Sequence, residues 1–369
     1  MAELRVALVL ATSTGGVGRH VAAVASGLSA RGARVAVFGP QATNERFGFD
    51  ASGVTRFRPV EVGARLRPAS LAKSAGATLR LRALVKGADI VHAHGFRAAL
   101  VSALALSRTR AGGLGRRPAF VITFHNAMSG SDFRRAALLR VMRRLARAAD
   151  AVFVVSPDLA ADIEDSERAL VAAPVRAPER DPAATRRALE IHDDAAVVLA
   201  VGRLHRQKGF DLLVRAATRW PTGRRVVVAI AGDGPQRAAL ASLIEERGVD
   251  VRLLGDRSDI ADLLQVADVV AMPSRWEGWP LAAGEVLAAG RPLVASAVGG
   301  LPELVGDAAK LVPPEDETAL AAAIMRFLDN AELAGEYGLR AIKRATQLPT
   351  DDDVVAQLLA CYGSFAGTS

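Results

Sequence analysis

Short apolar runs alternate along this chain with longer stretches whose apolar positions recur every three or four residues. The first pattern predicts buried strands and the second amphipathic helices. In the first half, residues 4–11 (LRVALVLA), 34–38, 89–92 (DIVH), 119–124 (AFVITF) and 151–155 (AVFVV) predict strands. Residues 17–31, 68–86, 96–107, 133–148 and 157–164 predict helices between them. Gly32 ends the first helix, and Ser156-Pro157 starts the last, with serine as N-cap and proline at the first helical position. The second half repeats the alternation, with strands at 196–202, 225–231, 251–254, 268–272, 292–296 and 309–312. Its helices fill 209–219, 235–247, 259–266, 280–289 and 316–329. Strand–helix alternation implies a parallel sheet with helices on both faces. At 369 residues the chain is too long for one ordinary domain and suits two. The expected fold class is therefore α/β, with two Rossmann-like, doubly wound domains at 1–175 and 176–345 and a final helical segment at 346–369. Residues 172–187 hold Pro174, Pro178 and Pro182, show no clear period, and read as the interdomain linker.

Composition narrows this picture. Half of the residues are hydrophobic and 23% are charged, which supports large cores and argues against disorder. No apolar run approaches the roughly 20 residues that span a bilayer. The N-terminus lacks the basic start and small-residue cleavage site of a signal peptide. The one cysteine, Cys361, excludes an internal disulfide and a cysteine-built zinc site. The expected compartment is the cytoplasm. Charge is divided unevenly: residues 1–180 carry 27 basic and 13 acidic side chains (net +14), and residues 181–369 carry 20 and 26 (net −6). A basic half suits a membrane surface or an anionic small molecule. With aromatics at 5%, stacking platforms for bases are scarce, and nucleic acid is not an expected partner.

In doubly wound sheets ligands bind beyond the carboxyl ends of the strands, and the unusual residues of this chain fall there. TSTGGVGRH (12–20) follows the first strand, where Gly15, Gly16 and Gly18 allow either close backbone approach to an anion or a simple tight turn. It is not the dinucleotide fingerprint, because Val21 stands where the third glycine belongs. His92 and His94 end a strand and share a face. No carboxylate or cysteine cluster joins them, so no metal is expected. His125 follows AFVITF, placed either to touch a ligand hydroxyl or to serve structurally. Arg203 and Lys208 in VGRLHRQKG (201–209) suit a diphosphate or form a solvated loop. In 273–305, Glu277 sits in a loop and Glu285 lies eight residues later, inside a helix that starts near Pro280. A carboxylate accepts two hydrogen bonds from a vicinal diol, so this pair could hold two sugar units of one ligand.

Taken together, these segments resemble glycosyltransferase family 4, over nearly the whole chain. The strongest part is the Glu277/Glu285 pair followed by AAGRPLVASAVGGLPELV; GGVGRHV, VGRLHRQKG and GDGP stand in matching order. The resemblance implies a GT-B fold, two facing Rossmann-like domains with the C-terminal helix crossing back to the N-domain. It implies a retaining, metal-independent transfer from a nucleotide-sugar donor, UDP- or GDP-linked, to an acceptor of unknown identity. No cofactor is expected. By that resemblance Glu285 binds the ribose, Glu277 the transferred sugar, and Arg203 and Lys208 the diphosphate. Gly15 and Gly16 offer backbone from the first loop, Leu281 lines the donor site, and His125 contacts the donor sugar. Asn126 departs from a common aspartate, Trp279 replaces a frequent phenylalanine, and 170–178 lacks the usual asparagine-glycine turn.

FRRAALLRVMRRLARAAD (133–150) combines a core-facing apolar side with Arg134, Arg135, Arg140, Arg143, Arg144 and Arg147. Arg65, Arg67, Lys73, Arg80, Arg82 and Lys86 could extend this patch toward an anionic membrane surface or a lipid-linked acceptor. Two rivals stay open: a nucleotide-sugar epimerase on the same fold, and a non-catalytic nucleotide-sugar or membrane-binding module.

Overall fold

The computed structural model describes residues 3–51, 55–62, 68–107, 117–125, 132–221 and 223–366, with side chains placed for all of these except 68–74, 132–134 and 366. The chain forms two compact units, one of residues 1–172 with 349–369 and the other of residues 173–348.

The first unit runs β1 (Arg5–Leu10), α1 (Gly16–Ala30), β2 (Arg34–Gly39), α2 (Gln41–Phe47), β3 (Arg56–Pro59), α3 (Pro68–Leu84), β4 (Ile90–His94), α4 (Phe96–Ser107), β5 (Ala119–Phe124), α5 (Asp132–Ala148), β6 (Ala151–Val154), α6 (Pro157–Asp162) and β7 (Glu167–Arg168). Its sheet is parallel, in the order β3-β2-β1-β4-β5-β6-β7. β1 is central, so its RVALVL is buried from Val6 onward, as a strand covered on both faces requires. The register sets Leu10 beside His94 and His94 beside Thr123, which stacks the carboxyl ends of β1, β4 and β5.

The second unit runs α7 (Pro182–Ala188), β8 (Ala196–Val201), α8 (Phe210–Ala217), β9 (Val226–Ala231), α9 (Arg237–Arg247), β10 (Val251–Gly255), α10 (Ile260–Val266), β11 (Val269–Met272), α11 (Leu281–Ala288), β12 (Leu293–Ser296), α12 (Leu301–Val305), β13 (Lys310–Val312), α13 (Glu317–Asp329) and α14 (Ala331–Ala345). Its parallel sheet has the order β10-β9-β8-β11-β12-β13. Two apolar clusters cover its faces, one around Val197, Leu199 and Leu287 and the other around Val198, Leu213 and Ile324.

The predicted linker at 172–187 needs correction, because α7 begins inside it. Asp181 caps that helix, its carboxylate accepting from the Ala184 N–H at 3.2 Å, and Pro182 takes the first turn. This is the same signal as Ser156-Pro157, hidden among prolines. The elements that periodicity missed are short or lie end to end. β3 is an edge strand of four residues, and α14 follows α13 after the single residue Asn330, whose side chain caps it.

The last helix, α15 (Asp351–Ala366), belongs to the first unit and packs on α1. The Gln357 side-chain amide donates to the Arg168 carbonyl and its oxygen accepts from the Leu170 N–H, both at 2.8 Å. Arg31 pairs with Asp352 at 2.9 Å. Tyr362 is fully buried, and its hydroxyl lies 2.6 Å from His92 Nδ1 in the centre of the sheet.

Tyr362→Phe keeps the packing and removes that hydroxyl, leaving a buried imidazole nitrogen unsatisfied. The expected cost is about 1–3 kcal/mol, read as a lower midpoint for the first unit in urea unfolding with an unchanged slope.

Candidate functional site

In the second unit, two loops leave the carboxyl ends of β8 and β11 and meet backbone to backbone. Gly209 starts α8 at φ +63°, and a Cβ there would stand 2.0 Å from the Pro273 carbonyl oxygen. Gly299, at φ +54°, brings a third loop in, and its Cβ would stand 1.8 Å from the Glu277 carbonyl oxygen. Only glycine combines that backbone angle with that approach.

Charge then fixes the loops. Lys208 Nζ donates to Glu277 Oε1 at 2.6 Å, and Ser274 Oγ donates to the same oxygen at 2.6 Å. Gln207 Nε2 donates to the Trp276 carbonyl at 2.9 Å. Glu277 is only 4% exposed, so its charge is tolerable because these groups meet it. Beneath the pair, Arg275 donates to both oxygens of Asp211 (2.7 and 2.8 Å), to Glu315 (2.5 Å) and to the Arg206 carbonyl (2.9 Å). The Arg275 N–H closes the seam on the Gln207 carbonyl at 2.7 Å. Burial works against ionising Asp211. Hydrogen bonds from Arg275 and Arg215 outweigh it and hold the carboxyl at about 2. The hydrogen bond to Asp211 in turn raises the Arg275 guanidinium above its ordinary range.

Arg203 is exposed and carries no ion pair among the described residues. Burial, and then the Arg203 charge, push His205 below its usual value. Leu281 opens α11, buried, and Glu285 lies one turn on, partly buried and engaged within the fold. Lys208 and Glu277, read separately from the sequence, are in direct contact. A cavity of about 420 Å³ lies at the opposite, amino-terminal edge of this sheet, by Trp220, Arg224, Val226 and Arg252. It lies far from this chemistry in the topology, and its arginines are engaged, Arg224 with Asp329 and Arg252 with Asp250.

The first unit gathers a different set. His20 comes from α1, His94 ends β4, and His125 follows β5; they are 7, 2 and 8% exposed. His94 Nδ1 lies 3.2 Å from His125 Nε2, and the other His94 nitrogen is buried with no partner among the described residues. One ligand nitrogen from each of the three lies within 4.8 Å of the others. Burial keeps all three neutral: His20 falls to about 4, and His94 and His125 fall well below the ordinary value, with neighbouring imidazoles adding to the effect. The metal-pair alternative, His92 with His94, does not form. The two rings stack at 4.2 Å, but both His92 nitrogens are occupied, by Tyr362 at 2.6 Å and Thr123 at 2.7 Å.

Gly15 caps α1 and Gly16 begins it, both exposed. At Gly18 a Cβ would stand 2.1 Å from the Phe47 ring, so packing against α2 requires glycine there. Asn126 lies outside the described residues. Sequence reasoning missed Arg275 and His20. Arg275 stands inside the 273–305 segment, but its partners Asp211 and Glu315 are 64 and 40 positions away, so no local pattern marks it. His20 closes the quoted TSTGGVGRH.

Comparison with known proteins gives two family matches: "Glycosyltransferase Family 4" over residues 14–176 and "Glycosyl transferases group 1" over 182–344. D-inositol 3-phosphate glycosyltransferase of Mycobacterium tuberculosis is 41% identical over 137 residues, covering 34% of this chain and 28% of that protein. The chain thus matches well under a third of that relative's length. Among solved structures, sucrose-phosphate synthase from Thermosynechococcus elongatus aligns at TM-score 0.83 and 23% identity, over 100% of both chains. Anabaena HepE in complex with UDP-glucose aligns at 0.84 and 21%, over 98% of this chain and 100% of the other. These likenesses establish the two-domain GT-B fold.

Asp211 has a folded-state pKa below its unfolded value of 3.8, so its contribution is complete above pH 3.8 and is lost as pH falls toward 2. Asp211→Asn should cost about 2 kcal/mol at pH 7. The wild-type advantage should shrink toward zero by pH 2, measured by denaturant unfolding of both proteins across that window.

Proposed function

We propose that this chain, which belongs to the family 4 glycosyltransferases, transfers a hexose from a nucleotide-sugar donor to an acceptor, with retention and without a metal. The observation that carries the reading is the buried Lys208–Glu277 pair, held by Ser274 and Gln207 after the carboxyl end of β8, where Arg203 is exposed and carries no ion pair among the described residues. Arg203 and Lys208 face the charge that grows on a departing diphosphate. Fixed cations there favour the transition state over the ground state. Glu277 accepts from hydroxyls of the transferred sugar, and Glu285 and Leu281 hold the ribose end. In the first unit, His125 contacts the donor sugar, and Gly15 and Gly16 offer backbone N–H groups at the start of α1. Because burial keeps His125 neutral, it acts as a hydrogen-bonding group and not as a cation. A UDP-sugar is the favoured donor, supported by the complexes of Anabaena HepE with UDP and with UDP-glucose.

The acceptor is proposed to be lipid-linked or part of a cell-envelope precursor, reached from the inner membrane face. Five arginines of α5 (Arg135, Arg140, Arg143, Arg144 and Arg147) are exposed while Met142 and Leu145 are buried. Leu79, Leu84 and Leu104 of α3 and α4 are exposed apolar groups in the same unit, at 62, 37 and 49%. Arg135 lies 3.5 Å from Asp162, and Arg143 donates to the Asp162 carbonyl, so part of the stripe is tied down locally. Arg65 and Arg67, and the side chains of Lys73 and Arg134, lie outside the described residues. No helix among the described residues is long and apolar enough to cross a membrane.

Calorimetry with UDP, GDP and ADP, each with and without EDTA, tests the donor reading. One nucleotide should bind at micromolar strength, insensitive to EDTA, and Glu285→Ala should abolish that binding. Silence from all three would overturn the assignment. Lys208→Ala should lower kcat by about 100-fold or more. Conversion of the donor without any acceptor would instead favour the epimerase. Arg140→Glu/Arg144→Glu should weaken co-sedimentation with anionic vesicles, at about 1 kcal/mol per basic residue removed; equal, salt-insensitive recovery on neutral vesicles would refute the membrane reading.

A further inference from the structure

The three-histidine cluster of the first unit is more than any hydrogen-bond scheme requires. His92 next to it shows what a satisfied buried imidazole looks like in this protein, with one nitrogen on Tyr362 and the other on Thr123. His94, only 2% exposed, has one nitrogen on His125 and the other on nothing among the described residues. His20 and His125 bring their rings within 5.3 Å of each other, and both lie within 5.7 Å of His94. An imidazole can offer one ring nitrogen to a metal ion, and one nitrogen from each of the three rings lies within 4.8 Å of the others.

We propose that His20, His94 and His125 form a binding site for a borderline divalent transition-metal ion, of which Zn²⁺ is the representative. Nitrogens bound to a tetrahedral Zn²⁺ at about 2.0–2.1 Å stand about 3.3 Å apart. The 3.2 Å between His94 Nδ1 and His125 Nε2 already has that spacing. The third nitrogen needs only a small ring movement, since all three lie within 4.8 Å. Two ligands sit at the adjacent carboxyl ends of β4 and β5, and the third comes from α1, which follows the neighbouring strand β1. An all-nitrogen set excludes Mg²⁺ and Ca²⁺, which demand oxygen ligands. Three protein ligands leave the fourth position open to water.

The consequence for activity rests on the transferase reading. His125 is there assigned to the donor sugar, and a bound ion takes its lone pair. The ion therefore inhibits transfer and does not assist it. EDTA leaves the activity of metal-free protein untouched, while added Zn²⁺ removes it.

The test uses the full chain and the metal alone. Calorimetry with Zn²⁺, and the visible absorption of Co²⁺, should both show one saturable, EDTA-reversible equivalent in the wild type. His20→Gln and His94→Gln should lose it. Among the other histidines, His192 is paired with Asp194 and exposed, so His192→Ala should bind as the wild type does. Far-UV circular dichroism and urea unfolding establish that each variant is folded. Absence of a saturable equivalent, or binding that survives both glutamine variants, overturns the site. Because this part needs no sugar donor, it stands or falls apart from the transferase assignment. In the activity assay, Zn²⁺ should inhibit the wild type and spare His20→Gln; metal bound to wild type with an unchanged rate overturns the inhibitory role.

Discussion

A carboxylate 4% exposed in the interior of a loop cluster is unstable unless charge meets it, and the architecture of the second unit follows from meeting that need at Glu277. Lys208 supplies the opposite charge and Ser274 a hydroxyl, so the loops after β8 and β11 must lie close. Close approach requires Gly209 and Gly299, whose missing side chains leave room for carbonyl oxygens. Arg275 then joins the same loops from below through Asp211, Glu315 and two backbone bonds. The seam is thus set before any ligand arrives. A charged pair held in a low-dielectric seam responds strongly to a new charge, which suits a site for an anionic leaving group.

The first unit solves a different problem. A parallel sheet between two helical layers is normally filled by aliphatic side chains, yet β4 carries two histidines into its core. His92 is matched by Tyr362 from the far end of the chain and by Thr123 from β5. This couples α15 to the strand that ends in His94, and so links the C-terminal segment to the part of the fold where the remaining imidazoles gather. Burial penalises the charged form of these imidazoles and keeps them neutral.

Much of this was legible in the sequence. Apart from the edge strands β3 and β7, the strands of both sheets stand out because each is a short apolar run bounded by polar turns. The glutamate pair, the cations of VGRLHRQKG and the glycine-rich turns were visible as residue types at the ends of those strands. What escaped was of two kinds. α7 and β3 are too short for a period to emerge, and α7 lay among prolines that serve equally as linker and helix start. Arg275 and His20 sit inside motifs already singled out, but their partners are far along the chain, and spacing carries no information about them.

The sequence by itself determined the alternation of strands and helices, the division into a basic and an acidic half, and the residue types offered at each strand's end. Those properties are local, since each depends on a residue and its near neighbours along the chain. Only the tertiary structure decided that Lys208 touches Glu277, that Arg275 grips Asp211, that Gly18 serves Phe47, and that His94 meets His125 instead of pairing with His92 for a metal. Those are matters of register between parallel strands and of loops crossing in space. Burial then kept the histidines neutral, while hydrogen bonds from Arg275 and Arg215 kept Asp211 ionised against it, because the cost of an ion depends on what surrounds it and not on its place in the chain.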